Sequence, residues 1–174
     1  HPLTTGFTFL RTGDFDADGI CGTAVLVEGL TRLGGKMLSY FPHRVQEGYG
    51  LNTDSLDSLK TQGASLVVTV DCGITNNAEV AHAQAHGLDV IITDHHNIMS
   101  GLPPALATVN PKRPDSAYPF DQLAGVGVAF KLLQAVSRAL GKEQGIDEML
   151  DLVAIGTVAD KVPLLEENRY LVQK

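Results

Sequence analysis

Two short runs of β-branched and aliphatic residues constrain the fold of this chain more than any other feature. "LVVTV" at residues 66–70 and "DVIIT" at residues 89–93 are almost continuously apolar, as is typical of strands covered on both faces. A segment with helical patterning separates them, and the same alternation of short apolar run and helix continues along the chain. The pattern predicts an α/β fold with a mostly parallel sheet of about five strands flanked by helices.

The expected element boundaries follow from this alternation. Strands are expected near residues 6–13, 36–42, 65–71, 88–94 and 105–110. Helices are expected near residues 20–34, 53–62, 76–86, 123–140 and 146–160. The segment 97–122 carries a cluster of prolines and is expected to be an irregular connection within one domain. A length of 174 residues agrees with a single domain.

Composition limits the classes of partner and compartment. A formal charge of −7 argues against a large nucleic-acid surface built from this segment alone, although two bound divalent cations would weaken that objection. The sequence has no apolar run long enough for a membrane span and no signal-peptide pattern at its start, so a soluble, cytoplasmic protein is expected. Cys21 and Cys72 are accordingly expected to be reduced, small packing residues.

Acidic and histidine residues follow three of the predicted strands. "DFDADG" follows the first strand, "VDCG" the third and "TDHH" the fourth. If the "DFDADG" segment stays extended, its alternate aspartates point to one side. Because the carboxyl ends of parallel strands meet at one edge of a sheet, the acidic and histidine side chains of these motifs are expected to converge. They are Asp14, Asp16, Asp18, Asp71, Asp94, His95 and His96. Asp160 of "GTVAD" is a further candidate.

The composition of this cluster indicates a metal centre. Several carboxylates in one place repel one another unless a cation lies between them. A set rich in oxygen, with one or two imidazoles, suits Mn²⁺ or Mg²⁺ more than zinc. The cluster contains more carboxylates than one ion needs as ligands, so two ions are expected. Such a pair is typical of metal-dependent hydrolysis of phosphoesters or phosphoanhydrides.

Three other interpretations of "DFDADG" remain open from the residues alone. A calcium EF-hand loop shares the pattern but needs a glutamate at its twelfth position, where this chain has Val25. A phosphotransferase nucleophile pair with one Mg²⁺ would leave the two histidines without a role. A solvated acidic turn also leaves them unexplained.

The ordered motifs "DFDADG", "VDCGI", "TDHH" and "GTVAD" resemble those of the DHH phosphoesterase superfamily. The intervening "PHRVQEGYGL", "VNPKRP" and "LAGVGVAFKL" narrow the resemblance to its RecJ-like branch, the single-stranded-DNA-specific exonucleases of bacterial DNA repair and recombination. Residues 1–174 correspond to the first catalytic lobe, without the second lobe or the oligonucleotide-binding fold. The resemblance implies 5′ to 3′ digestion of single-stranded DNA with two Mn²⁺ or Mg²⁺ ions. It also implies a single-strand-binding protein and a helicase as protein partners.

The resemblance further implies roles for individual residues. Asp14, Asp16 and Asp71 would hold one ion, although many members of the superfamily have a histidine in the role of Asp14. Asp18, Asp71, His95 and Asp160 would hold the other ion. His96 would face the scissile phosphate, so that Asp71, His95 and His96 form the catalytic set. Asp94 would orient the histidines, with a backbone cap as the alternative.

Substrate contacts are expected from loops. Arg44 and Tyr49 in "PHRVQEGYG" suit phosphate and base contacts, the alternative being an ordinary glycine-rich loop. "GVGVAF" at residues 125–130 would either pack tightly or offer a helix N-terminus to phosphate. Lys112 and Arg113 would touch the DNA backbone or lie in an exposed loop.

A second histidine pair is interpreted differently. His82 and His86 in "HAQAH" are spaced by four residues, but the segment lacks the glutamate of the zincin pattern. They are expected to be surface histidines of a helix rather than metal ligands.

The same site chemistry would serve other activities. An oligonucleotide or cyclic-dinucleotide phosphodiesterase, a polyphosphatase and a pyrophosphatase remain alternatives. A non-catalytic DHH module of a replication assembly would be expected to have lost metal ligands, whereas every expected position is filled here. The activity of this lobe by itself is a separate question.

Overall fold

The computed structural model describes residues 16–40, 50–99 and 101–174 together with the backbone of residues 7–10. Within this part of the chain five strands form one sheet in the order β2-β1-β3-β4-β5, and all neighbours are parallel. The strands are β1 (Phe7–Leu10), β2 (Met37–Tyr40), β3 (Leu66–Val70), β4 (Asp89–Thr93) and β5 (Ala107–Val109). The predicted fold class is confirmed, and each strand lies inside its expected range.

Helices connect the strands and cover the sheet. They are α1 (Ala17–Arg32), α2 (Thr53–Thr61), α3 (Asn77–Ala85), α4 (Gly125–Ala139), α5 (Leu150–Ala159) and α6 (Glu166–Gln173). The helix expected over residues 146–160 is divided into a 3₁₀ turn, Ile146–Met149, and α5. Beyond it, α6 forms from the amphipathic segment near the end of the chain.

The two faces of the sheet carry separate hydrophobic cores. On one face Val68 and Val70 of β3 pack with residues of α1, α4 and α5, among them the fully buried Phe130. On the other face Val67 packs with Leu59 of α2 and with residues of α3 and β4. Alternate residues of β3 therefore enter opposite cores, as expected of a strand covered on both sides.

A close helix contact brings α1 to the sheet and to the start of α4. A Cβ atom on Gly22 would lie 2.7 Å from Cγ1 of Val70 and 3.2 Å from Cα of Val126. Because side chains do not tolerate such distances, only glycine permits this approach. The contact fixes the first turn of α1, which carries Asp18, against the N-terminus of α4.

Candidate metal centre

The ends of β3 and β4 supply the central side chains of the candidate site. Asp71 directly follows β3, and Asp94 directly follows β4. The backbone of Asp71 has a positive φ of 58°, a conformation that costs energy in a non-glycine residue and is found disproportionately at functional sites. The Asp71 amide donates to the Thr93 carbonyl at 2.9 Å, so the two strand ends are joined where the functional residues begin.

The expectation of an extended "DFDADG" segment is wrong for its second half. Asp16 is the N-cap of α1, where its side chain accepts a hydrogen bond from the Gly19 amide at 3.0 Å. Asp18 therefore lies in the first helical turn and not on an extended strand. The aspartate at position 16 starts the helix because it satisfies an amide that has no partner within the helix.

Asp18 nevertheless points into the site. Its side chain is fully buried and accepts two hydrogen bonds from the N-terminus of α4, from Gly125 N at 2.7 Å and Val126 N at 2.8 Å. These two amides are therefore occupied by a carboxylate. For "GVGVAF" the packing alternative fits better than phosphate contact, because a Cβ on Gly125 would also lie 2.6 Å from Oδ1 of Asp71.

Three of the sequence-predicted carboxylates converge on one imidazole nitrogen, that of His95. Nε2 of His95 lies 3.1 Å from Oδ1 of Asp71, 3.9 Å from Oδ2 of Asp18 and 3.8 Å from Oδ2 of Asp160. Asp160 reaches this point from the C-cap position of α5. One ligand atom from each member of the set Asp18, His95 and Asp160, and likewise of the set Asp71, His95 and His96, lies within 4.8 Å of the others.

The hydrogen bonding of these atoms tests whether the cluster fits a cation. Oδ1 of Asp71 and Nε2 of His95 are buried, and neither makes a hydrogen bond of acceptable geometry within the described residues, although they are 3.1 Å apart. Buried polar atoms without partners are costly. Here they are a carboxylate oxygen and an imidazole nitrogen that face two further carboxylates. This donor set fits an oxygen-preferring divalent cation.

The pKa values of the cluster show the cost of gathering these groups without a cation. Burial, together with repulsion from Asp71, raises the pKa of Asp18 to about 7. Burial also raises the pKa of Asp160. Burial by itself lowers the pKa of His95, but the neighbouring Asp71 and Asp160 carboxylates overcome this effect and raise it. A divalent cation would replace these protons and favour the charged carboxylates.

Asp94 organises the residues that follow it. Its Oδ1 accepts hydrogen bonds from the amides of His95 at 2.7 Å and His96 at 3.0 Å, and it lies 2.7 Å from Nδ1 of His96. Its Oδ2 accepts from the Ile74 amide at 2.9 Å. Despite burial, which raises it, the pKa of Asp94 is lowered because these donors stabilise the carboxylate. Asp94 thus combines the two alternatives considered for it, since the same carboxylate caps the backbone and holds an imidazole.

His96 is the exposed member of the cluster. Its side chain is 48% exposed, and its Nδ1 is held by Asp94. The hydrogen bond to Asp94 raises the pKa of His96 to about 8, with smaller contributions from Asp71 and Asp160. The ring therefore carries a proton near neutral pH and can present Nε2 to an anionic ligand.

Asn110 is a site residue that the sequence did not reveal. It is buried after β5, donates to the carbonyl of His96 at 2.9 Å and accepts from the amide of Lys112 at 2.8 Å. It therefore links the His96 backbone to the irregular segment that follows β5. The signal in the sequence was an asparagine at a strand end directly before a proline.

One of the two basic residues expected to contact DNA from this segment, Arg113, instead makes hydrogen bonds within the chain. Arg113 forms two hydrogen bonds to Asp115, at 2.9 and 2.6 Å, and a third to the Thr108 carbonyl. Its guanidinium therefore stabilises the loop. The remaining predicted site residues, Asp14, Arg44 and Tyr49, lie outside the described residues.

The other sequence expectations concern packing and membranes. Cys21 and Cys72 are buried and are not joined by a disulfide, which agrees with their interpretation as small packing residues. None of the helices in the described residues combines the length and apolar character needed to cross a bilayer.

The fold and the motif positions together define the class of this chain. The model of the DHH family, N-terminal domain, matches residues 8–157, and the chain belongs to this family. Within it the chain is similar to the single-stranded-DNA-specific exonuclease RecJ of Bacillus subtilis, with 50% identity over 159 residues that cover 91% of this chain and 20% of that protein. The chain thus spans about a fifth of the length of this relative.

Solved structures agree with the sequence comparison. A crystal structure of exonuclease RecJ bound to manganese superposes with a TM-score of 0.83 at 40% identity, covering 96% of this chain and 42% of the other. The structure of RecJ in complex with Mn²⁺ from Thermus thermophilus gives a TM-score of 0.78 at 36% identity, covering 96% and 23%. The parallel sheet and its flanking helices are thus those of the RecJ DHH domain.

Proposed function

We propose that this chain is the DHH catalytic lobe of a metal-dependent phosphodiesterase. The single observation that carries the proposal is the convergence of Asp18, Asp71 and Asp160 on Nε2 of His95, with buried atoms of Asp71 and His95 that lack hydrogen bonds in the described part of the chain. Structural ion pairs do not require such an arrangement, whereas a divalent cation does. The family and the manganese-bound RecJ structures support the same assignment.

The proposed ligand set divides between two ions of Mn²⁺ or Mg²⁺. Asp18, Asp71, His95 and Asp160 hold one ion, and their proximity supports this assignment. Asp14, Asp16 and Asp71 hold the other, an assignment that rests on the resemblance. Asp16 lies near enough to Asp160 to raise the pKa of that carboxyl group. Asp71 is common to both sets, as the resemblance implies.

The residues of the chain divide the remaining work. Bound divalent ions supply positive charge to a phosphoryl oxygen and acidify a water molecule. Asp94 fixes the orientation of His96 through Nδ1. The protonated His96 then offers Nε2 to a phosphate oxygen, where it neutralises charge or donates a proton to the departing oxygen. Asn110 holds the His96 carbonyl and limits its movement.

We propose single-stranded DNA as the substrate, digested from its 5′ end. The support is similarity to relatives named single-stranded-DNA-specific exonuclease, at 50% identity in Bacillus subtilis and 44% in Escherichia coli. Arg44 and Tyr49 are the proposed strand contacts within this lobe. These relatives are longer than this chain. We propose that a second lobe, a single-strand-binding protein and a helicase act together with this lobe. We also propose that the protein works in the cytoplasm, where bacterial DNA lies.

The test follows a 3′-labelled single-stranded oligonucleotide with a 5′ phosphate, incubated with the chain and Mn²⁺. The expected result is a ladder that shortens from the 5′ end and disappears with EDTA or in the Asp71→Asn variant. Asp89→Asn removes the same charge from an exposed position of β4 and should keep the activity. A double-stranded oligonucleotide and a polyphosphate serve as competing substrates. Hydrolysis of polyphosphate without cleavage of DNA would overturn the exonuclease assignment and retain the phosphoesterase site.

A further inference from the structure

A second group of metal-ligating side chains lies away from the candidate centre. Nε2 of His82 on α3 is 2.8 Å from Oδ1 of Asp57 on α2. His86 follows one turn later, and its ring centroid is 4.1 Å from that of His82, with the ring planes tilted by 32°. One ligand atom from each of the three side chains lies within 4.8 Å of the others. The sequence could not reveal the third member, because Asp57 comes from a different helix.

The hydrogen bonds around His86 prepare one ring nitrogen for a ligand. Nδ1 of His86 lies 2.8 Å from the carbonyl oxygen of His82, and a carbonyl can only accept, so Nδ1 carries the proton. Nε2 of the neutral ring therefore keeps its lone pair, which is the form that binds a metal ion. A backbone carbonyl on the other ring nitrogen is the usual partner of a metal-bound histidine.

The position of this group separates it from the candidate centre. In a parallel βαβ unit the helix runs opposite to its strands, so α3 starts near the carboxyl end of β3 and ends near the start of β4. His82 and His86 lie in the last turn of α3 and at its C-cap. They are therefore at the amino-terminal edge of the sheet, while Asp71 and His95 are at the carboxyl edge.

We propose that Asp57, His82 and His86 form a zinc site that joins α2 to α3. Two imidazoles and one carboxylate are a common ligand set for Zn²⁺, which accepts three protein ligands with water in the fourth position. Nitrogen ligands favour Zn²⁺ over Mn²⁺ and Mg²⁺, so this site differs in metal preference from the oxygen-rich centre. The ion replaces the proton between His82 and Asp57. The nearby Lys60 ammonium is directed to the Gly87 carbonyl.

The experiment counts zinc ions bound per chain at equilibrium. The intact chain, His86→Ala and Gln84→Ala are dialysed against dilute Zn²⁺ with excess Mn²⁺, and the bound metals are measured. Gln84 is exposed on the same helix and serves as the control. We expect His86→Ala to bind one zinc ion fewer than the other two proteins. Asp57→Asn should also lower the amount of bound zinc, because it removes the charge of the proposed carboxylate ligand.

A site-specific measurement accompanies the count. Zinc is added while the ring nitrogens of His82 and His86 are followed by NMR, and we expect the Nε2 resonances of both to shift in the intact chain. Zinc counts that are equal for the intact chain and His86→Ala, or unchanged Nε2 resonances, would overturn the proposal. His86 is exposed, so its replacement leaves the fold intact. Because the result concerns only α2 and α3, it is independent of the proposed nuclease activity.

Discussion

Replacement of Asp94 by asparagine tests how the site controls His96. Oδ1 of Asp94 lies 2.7 Å from Nδ1 of His96, and this hydrogen bond is the main reason why the pKa of His96 is raised to about 8. Asparagine keeps the shape of the side chain but removes its charge. Its amide group would also face the Ile74 N–H, which now donates to Oδ2 at 2.9 Å. One of the two side-chain positions would therefore change from acceptor to donor.

The structure gives a magnitude for each effect. The pKa of His96 should fall from about 8 toward its ordinary value of 6.5, a change worth about 2 kcal/mol. Because nearly half of the side chain is exposed, solvent screening reduces its contribution to stability to about 1 kcal/mol. In the parent chain that contribution is complete below pH 6.5 and is lost as the pH rises through 8. In the Asp94→Asn variant, the side-chain NH₂ group that faces the Ile74 N–H lowers the free energy of unfolding by about a further 1–3 kcal/mol at every pH.

The assay combines a proton NMR titration of the His96 ring with urea unfolding at several pH values. Asp89→Asn is the control, since it removes one charge from an exposed position on the same strand. Asp94→Asn should lower the His96 pKa and flatten the decline in stability between about pH 6 and pH 9. An unchanged His96 pKa, or an equal fall in Asp89→Asn, would refute the role assigned to Asp94.

Two further predictions concern the cation. Gly125→Ala would bring a Cβ to 2.6 Å from Oδ1 of Asp71, so calorimetry should find weaker Mn²⁺ binding and a stability loss of about 1–3 kcal/mol. Gly127→Ala, whose Cβ would lie 3.3 Å from its nearest neighbour, should bind Mn²⁺ normally, and equal binding by both variants would contradict this. Without metal, stability should fall by about 2–4 kcal/mol as the pH rises from about 4 through 7, because Asp18 with its raised pKa stays protonated in the folded chain longer than in the unfolded one. Saturating Mn²⁺ should remove this fall, and a metal-free chain whose stability rises over the same range would refute the electrostatic account.

The sheet and its functional edge could be predicted because the signals are local. The apolar runs at 66–70 and 89–93 specify β3 and β4, and parallel pairing requires that Asp71 and His95 meet at one edge. Helix ends were harder to predict. The aspartate at position 16 caps α1, and this capping competes with the alternating pattern that suggested an extended conformation for Asp16 and Asp18.

Contacts between distant segments could not be predicted from the sequence. Asp18 accepts hydrogen bonds from two backbone amides of α4, more than 100 residues later in the sequence. No periodicity of the sequence encodes that contact. Asp57 meets His82 across two helices, so the histidine spacing by itself suggested only a surface pair. Such contacts depend on how the helices pack over the sheet. That packing depends in turn on close approaches that only a glycine, without a Cβ atom, permits.

The most direct test of the account is anomalous diffraction at the manganese edge from crystals of this chain grown with Mn²⁺. The account predicts anomalous peaks within ligand distance of Asp18, Asp71, His95 and Asp160, and their loss in Asp71→Asn crystals that otherwise keep the fold. The absence of any anomalous peak, in crystals whose carboxylates are well ordered and remain as close together as described, would contradict the claim that a divalent cation holds these groups together.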